Sequence, residues 1–157
     1  MPLPHDPSRY DEHLALKVPL TLWLVLAFLL RHLLLLGITF LPTTGEEIKA
    51  LRDLIRPAYL AADLLALPVA VIAARRRPRS PAWMRRLWPL GRALLTASAL
   101  LYLTLLGWQL TTGGKPLVVA LNEAVLVSAL LNIAVVAYLW RSALVRDLFR
   151  DFPAETA

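Results

Sequence analysis

VPLTLWLVLAFLLRHLLLLGITFL, residues 18–41, is apolar from end to end except for one adjacent pair near its middle, Arg31 and His32. A helix on the surface of a soluble protein alternates apolar and polar faces at a period of 3.6, and this stretch has no polar face. Its 24 residues match a bilayer core, which takes about 20 residues at 1.5 Å rise each. The stretch therefore reads as a membrane span with two ionisable residues inside it.

The whole chain agrees with that reading. It has 157 residues, of which 58% are hydrophobic, and a mean hydropathy of +0.59. Soluble domains are about 45–50% apolar. There are no cysteines, so disulfides, thiolate metal sites and cysteine nucleophiles are excluded. A net charge of +6 and a pI near 10.3 would suggest nucleic acid in a soluble protein. Here the basic residues gather in one loop beside a span, where a topology signal accounts for them and nucleic acid is not expected. The first span is longer than the apolar core of a cleavable signal and lacks a small-residue cleavage pattern, so it is expected to stay uncleaved. With Pro2 and not glycine at position two, no lipidation motif is expected.

Three more spans follow, at about 57–74, 88–110 and 117–140. Between the first two, Thr44 and Glu47 form a capping box, and Ile48, Leu51, Leu54 and Ile55 give an amphipathic interfacial helix. Pro68 should kink the second span. Its alanines at 58, 62, 66, 70 and 74 suggest a seam on which a neighbouring helix packs closely. A second stripe of small or polar residues, Ala120, Ala124, Ser128 and Asn132, marks the fourth span. The loop 75–87 carries Arg75, Arg76, Arg77, Arg79, Arg85 and Arg86. Its prolines at 78 and 81 predict an extended, non-helical path, and Trp83 and Trp88 place it at an interface. The tail 141–157 repeats Leu144, Val145, Leu148, Phe149 and Phe152 at helical spacing, as an amphipathic helix along the membrane surface would.

Eleven Lys and Arg residues fall in the N-terminus, the second loop and the tail, against four in the first and third loops. The positive-inside rule then puts both termini in the cytoplasm. The six loop arginines are expected to meet anionic lipid headgroups.

Four ionisable residues lie at bilayer depth: Arg31, His32, Asp63 and Glu123. Asp63 and Glu123 fall about 9 Å below the outer face and Arg31 about 15 Å, at 1.5 Å per residue. An unpaired charge there costs several kcal/mol, so pairing inside the bundle is expected. One reading is a proton or ion relay in which His32 or Glu123 titrates beside Arg31. The other is a structural ion pair, Arg31 with Asp63 or with Glu123, that sets helix register. Asn122 and Asn132 are read as bridges between helices. No catalytic motif is present: there is no H-E-x-x-H, no G-x-S-x-G and no phosphate loop. His5, His13 and His32 are too scattered for a metal site, and neither metal nor cofactor is expected.

From Tyr10 onward, the pattern of Tyr10-Asp11, Leu16-Lys17, Pro19, Trp23 and Arg31 resembles the start of a family of small, four-span bacterial inner-membrane proteins. That family is catalogued as a domain of unknown function and found mainly in gammaproteobacteria. The resemblance implies location and topology, with no mechanism attached. The expectation is an all-α polytopic transmembrane four-helix bundle with short interfacial helices. Its expected role is non-enzymatic, as an accessory subunit that packs against itself or a larger membrane complex. The alternative is a small oligomeric carrier or proton-coupled transporter using the Arg31, His32, Asp63 and Glu123 cluster. A membrane enzyme acting on lipid-linked substrates is a third class.

Overall fold

The computed structural model describes residues 6–10, 15–40, 57–113 and 122–153. The capping box and interfacial helix expected at 44–55, and Ala120 of the fourth-span stripe, lie outside the described residues. After a single 3-10 turn at Pro7–Arg9 come α1 (Leu20–Leu29), α2 (Arg31–Ile38), α3 (Pro57–Arg75), α4 (Ala82–Leu87), α5 (Gly91–Thr112), α6 (Glu123–Arg141) and α7 (Ala143–Arg150). The protein is an all-α polytopic helical bundle. Among the described residues, three helical stretches are long and apolar enough to cross a membrane: α3, Ala82–Thr112 (α4 running into α5) and α6. The pair α1–α2 passes the same test only when its two halves are taken together.

That pair corrects the sequence reading of an unbroken first span. The chain turns by 68° between α1 and α2, with Leu30 at φ −93° and ψ 10°. No proline or glycine stands at the break, so its cause must be tertiary, and it lies in the polar core described below. The consequence for length is direct. At 1.5 Å per residue α3 is about 28 Å long, close to the roughly 30 Å hydrocarbon core, whereas α1 and α2 together advance only about 20 Å along the axis of α1.

The alanine seam on α3 is partly present. Tyr59, Ala62, Asp63, Ala66, Val69, Ile72 and Ala73 are the buried residues, a spacing near 3.5. A strict four-residue stripe advances 40° per step around a 3.6-residue helix, so it cannot stay on one face. Ala62 and Ala66 sit in the core, Ala70 is half-buried, and Ala58 and Ala74 have rotated outward.

The second loop is not extended. Ser80 staples it: its hydroxyl donates to the Arg75 carbonyl (3.1 Å) and accepts from the Arg77 amide (2.9 Å). Pro81 then serves as N-cap of α4, a place where a missing N–H costs little. The two prolines thus bound a turn and start a helix. Arg75, Arg77, Arg79, Arg85 and Arg86 face outward from this folded loop.

The tail also departs from expectation. α6 ends at Ser142, whose backbone is extended (φ −77°, ψ 113°) and whose side chain caps α7 by accepting from the Val145 amide. The apolar face of α7 does not rest along the membrane surface. Val145, Leu148 and Phe149 are buried in the same core as α1, α3 and α5. Gly91 makes that docking possible, because a Cβ there would come within 2.3 Å of the Phe149 ring.

At this end Arg76 turns inward. It donates to the carbonyls of Leu16 (2.6 Å) and Asp151 (2.8 Å) and pairs with the Asp151 carboxylate (3.4 Å). Asp151 also accepts the Leu16 amide at 2.7 Å. The Arg76 guanidinium lies over Trp88 and Phe152, and the Trp88 indole N–H donates to the Leu148 carbonyl at 2.8 Å. The N-terminal segment, the second loop and the tail are thereby knotted together at one end of the bundle.

Candidate functional site

Asp63 is the centre of the polar core. It stands on the inner face of α3, is 1% exposed, and shares that face with Tyr59 one turn earlier. Its carboxylate accepts three hydrogen bonds from the first span. One oxygen takes the backbone amides of His32 and Leu33, both at 2.9 Å. The other faces the His32 ring Nδ1 at 3.0 Å. An ionised carboxylate only accepts, so with Asp63 ionised Nδ1 carries the proton.

These contacts explain the break. In an unbroken helix the His32 amide would donate to the Phe28 carbonyl, four residues back. Here that amide goes to Asp63, and the abandoned Phe28 carbonyl accepts from Arg31 instead, at 2.9 Å. Backbone groups in hydrocarbon must all be satisfied, and this exchange satisfies both. The α2 N-terminus then carries a partial positive charge, which the Asp63 carboxylate meets. A side chain of α3 thus acts as the N-cap of α2.

Arg31 has no carboxylate partner among the described residues. Its guanidinium lies between the rings of Phe28 (4.3 Å) and Tyr102 (4.2 Å), and its second amino group donates to Ser128 Oγ at 3.1 Å. Tyr102 Oη and Ser128 Oγ share a hydrogen bond at 2.8 Å. The expected Arg31–Asp63 and Arg31–Glu123 pairs are therefore both replaced. Asp63 is occupied by His32 and two amides, and Arg31 by π faces and neutral oxygens. Fixed partners of this kind disperse a charge without the desolvation of a second ion.

Glu123 does not join the cluster. It is the first residue of α6 and exposed, and Asn122 before it caps the helix by accepting from the Val125 amide at 2.9 Å. Asn122 is a cap and not a bridge between helices. Asn132 is fully buried, yet its amide donates to the Ser128 carbonyl of its own helix at 2.8 Å. That bond holds α6 to itself, so the bridging role read from its sequence position does not appear there either.

Sequence reasoning missed the aromatic wall of the site. The His32 ring stacks between those of Tyr59 (5.2 Å between centroids) and Tyr102 (5.7 Å). The two tyrosine rings lie 4.8 Å apart, and Tyr59 donates to Gln109 Oε1 on α5. Tyr59, four residues before Asp63, shares its helix face and could have been found by that spacing. Tyr102 and Ser128 carried no such signal, since their role depends on which helices become neighbours. Among the described residues no group of three or more His, Asp or Glu side chains could hold a metal ion.

The arrangement can hold a buried carboxylate at the tip of a half-helix and keep a cation beside it in an aromatic slot. A family model described as a protein of unknown function, DUF2919, matches residues 5–151. No curated protein and no solved structure matches the chain.

Proposed function

The chain belongs to the DUF2919 family, and from the geometry of its core we propose that it is a non-catalytic accessory protein of the bacterial inner membrane. One observation carries this reading. The groups that could do chemistry at bilayer depth are turned on one another: Asp63 takes three donors from the first span, and Arg31 is held between two rings with acceptors at its amino groups. Such a core builds architecture. The outward surface supports a role in contact, since α6 presents Leu126, Val127, Leu130, Leu131, Ile133 and Trp140 outward. A second copy or a larger membrane complex would meet that face, and anionic headgroups would meet the outward arginines of the second loop.

In this reading α1–α2 is a single broken span and the protein crosses four times. Leu16 and Arg76 touch at one end of the bundle, so the chain goes out through α1–α2 and returns through α3. A bend below 90° also carries α2 onward and not back. Both termini then share one side, and the eleven-to-four Lys and Arg count makes it the cytoplasm. Reporter fusions at residue 80 and the C-terminus should report cytoplasm, and fusions near 47 and 113 the outside. A periplasmic signal at 80 would overturn the orientation.

The alternative, a small proton-coupled carrier, is favoured by one observation. The buried His32–Asp63 contact lies at a helix break, the kind of place where transporters bind ions. Two measurements separate the readings. A photo-crosslinking residue at Leu130 in native membranes should give one discrete protein adduct for an accessory subunit; lipid adducts alone would overturn that role. In proteoliposomes an accessory protein should leave proton flux at the level of empty vesicles. Flux that disappears in Asp63→Asn would establish the carrier instead.

A further inference from the structure

Three arginines of the bundle lie over aromatic rings. Arg31 rests on Phe28 and Tyr102, Arg76 on Trp88 and Phe152, and Arg92 on Trp140. The first two are completed by oxygens of the protein. Arg31 donates to the Phe28 carbonyl and to Ser128 Oγ, and Arg76 to the Leu16 and Asp151 carbonyls and the Asp151 carboxylate. Arg92 has the ring alone. Its guanidinium lies 4.2 Å from the Trp140 centroid and meets no acceptor among the described residues.

The ring is held from the same helix that carries the cation. Thr96, one turn after Arg92 on α5, accepts the Trp140 indole N–H at 3.1 Å, and its own hydroxyl donates to the Arg92 carbonyl at 2.8 Å. A tryptophan at a membrane boundary commonly turns its N–H toward the wet side. Here that N–H is spent on Thr96, so the ring becomes a fixed platform and the guanidinium is the group left to face outward. Trp140 keeps 56% of its surface open and Arg92 is half-buried, so the slot can be reached from outside the bundle.

Depth identifies what stands there. From Arg92 to Thr112 α5 rises about 30 Å at 1.5 Å per residue, the thickness of the hydrocarbon core. Trp140 is the last residue but one of α6. The slot therefore sits at the boundary of the core, where the lipid phosphates begin. The carboxylates at this end, Asp147 and Asp151, are engaged by Arg146 and Arg76. The anion that the bilayer itself supplies is a phosphodiester, whose two free oxygens match the planar fork of a guanidinium.

We propose that Arg92, seated on Trp140 and oriented through Thr96, binds the phosphodiester of one membrane phospholipid. The ring fixes the guanidinium before the lipid arrives, so little side-chain freedom is lost on binding. That preformed seat sets Arg92 apart from the outward arginines of the second loop, and it serves an accessory subunit and a carrier alike.

Native mass spectrometry of the full-length protein titrated with phosphatidylglycerol reads the site directly. Retained lipid should fall several-fold in Arg92→Met and in Trp140→Leu, which removes an exposed side chain. Arg92→Lys keeps the charge and loses the flat fork, so it should also bind several-fold more weakly; if Arg92→Met fails to fold, Arg92→Lys decides. Arg77→Met, an equal charge change on the exposed loop, should matter little. Diacylglycerol, which has no phosphate, should bind the native protein and Arg92→Lys equally. Equal losses in Arg77→Met and Arg92→Met, or native affinity in Arg92→Lys, would overturn the site. Excess inorganic phosphate should leave the lipid in place; its displacement would assign the slot to free phosphate and overturn the lipid.

Discussion

The two ends of the bundle handle the same ingredients in opposite ways. At the knotted end, Arg76 bonds directly to Asp151 and lies over Trp88 and Phe152, and the carboxylate also takes the Leu16 amide. At the broken helix, Arg31 likewise lies on aromatic rings and Asp63 likewise takes backbone amides, but the cation and the carboxylate do not touch. Exposure separates the two. The Asp151 side chain keeps 36% of its surface open and that of Asp63 1%. An ion pair at the rim retains part of its hydration, whereas a pair wholly inside hydrocarbon loses both shells. Within the membrane the anion is instead spread over amide dipoles and a helix N-terminus, and the cation over ring faces. One consequence follows only at the inner site: the donors that Asp63 recruits are taken from helix α1–α2 itself, so its solvation bends the backbone.

The sharpest way to break this contrast is Asp63→Leu. Removing one partner of a buried polar set typically costs about 3–5 kcal/mol, so a large drop in thermal stability in detergent is expected. The freed His32 and Leu33 amides should return to the carbonyls four residues back, and α1–α2 should straighten. Spin labels at Leu24 and Ile38, both exposed, would then move apart. A bend unchanged in a folded Asp63→Leu protein would show that Asp63 follows the break and does not impose it. Asp63→Asn, which keeps an acceptor, should fall between the two.

Arg76→Met tests the rim. It removes charge-assisted bonds worth about 1.5–3 kcal/mol each in favourable cases, but Asp151 can rehydrate, so the loss should be smaller than for Asp63→Leu. Proteolysis of the tail should accelerate as α7 detaches. A loss equal to that of Asp63→Leu would erase the distinction between rim and interior.

Gly91→Leu attacks the same end by volume alone. Overpacking typically costs about 1–3 kcal/mol, and the neighbour that must yield is the Phe149 ring. Gly91→Leu with Phe149→Ala should therefore lose less than the two changes summed. Strict additivity in thermal unfolding would mean that the ring swings clear at no cost.

The smallest effect belongs to Arg146→Met. The Arg146–Asp147 contact spans 3.4 Å with the arginine side chain 51% exposed, and exposed pairs contribute about 1 kcal/mol or less. No measurable change in melting temperature is expected. Asp6 is exposed as well. The backbone N–H of Ser8 holds its carboxyl below the usual carboxylate value. Whatever it adds to the turn at Pro7–Arg9 is therefore present above that usual value and fades as pH falls through the lowered one. The Ser8 amide resonance would report the change while global unfolding stays fixed.

Much of this protein was legible in residue order alone. Unbroken apolar runs, interfacial tryptophans and clustered arginines established an all-α membrane bundle, because a bilayer admits helices of one length and leaves charges at its rims. The same reasoning located Arg31, His32 and Asp63 as an intramembrane set, since each is costly there wherever its neighbours lie. The pairing could not be read. Arg31 and Asp63 have complementary charge, and only the approach of α3 to the first span decided that His32 and two backbone amides reach the carboxylate first. The same approach broke the helix, at a place where the local sequence LLRHL has every propensity to continue. Glu123 stood beside small residues in sequence, yet it is exposed at the head of its helix, where Asn122 is the cap. Helical periodicity and hydrophobicity are properties of a segment and survive translation into one dimension. Which donor satisfies which acceptor depends on distances between segments, and those came into being only when the helices packed.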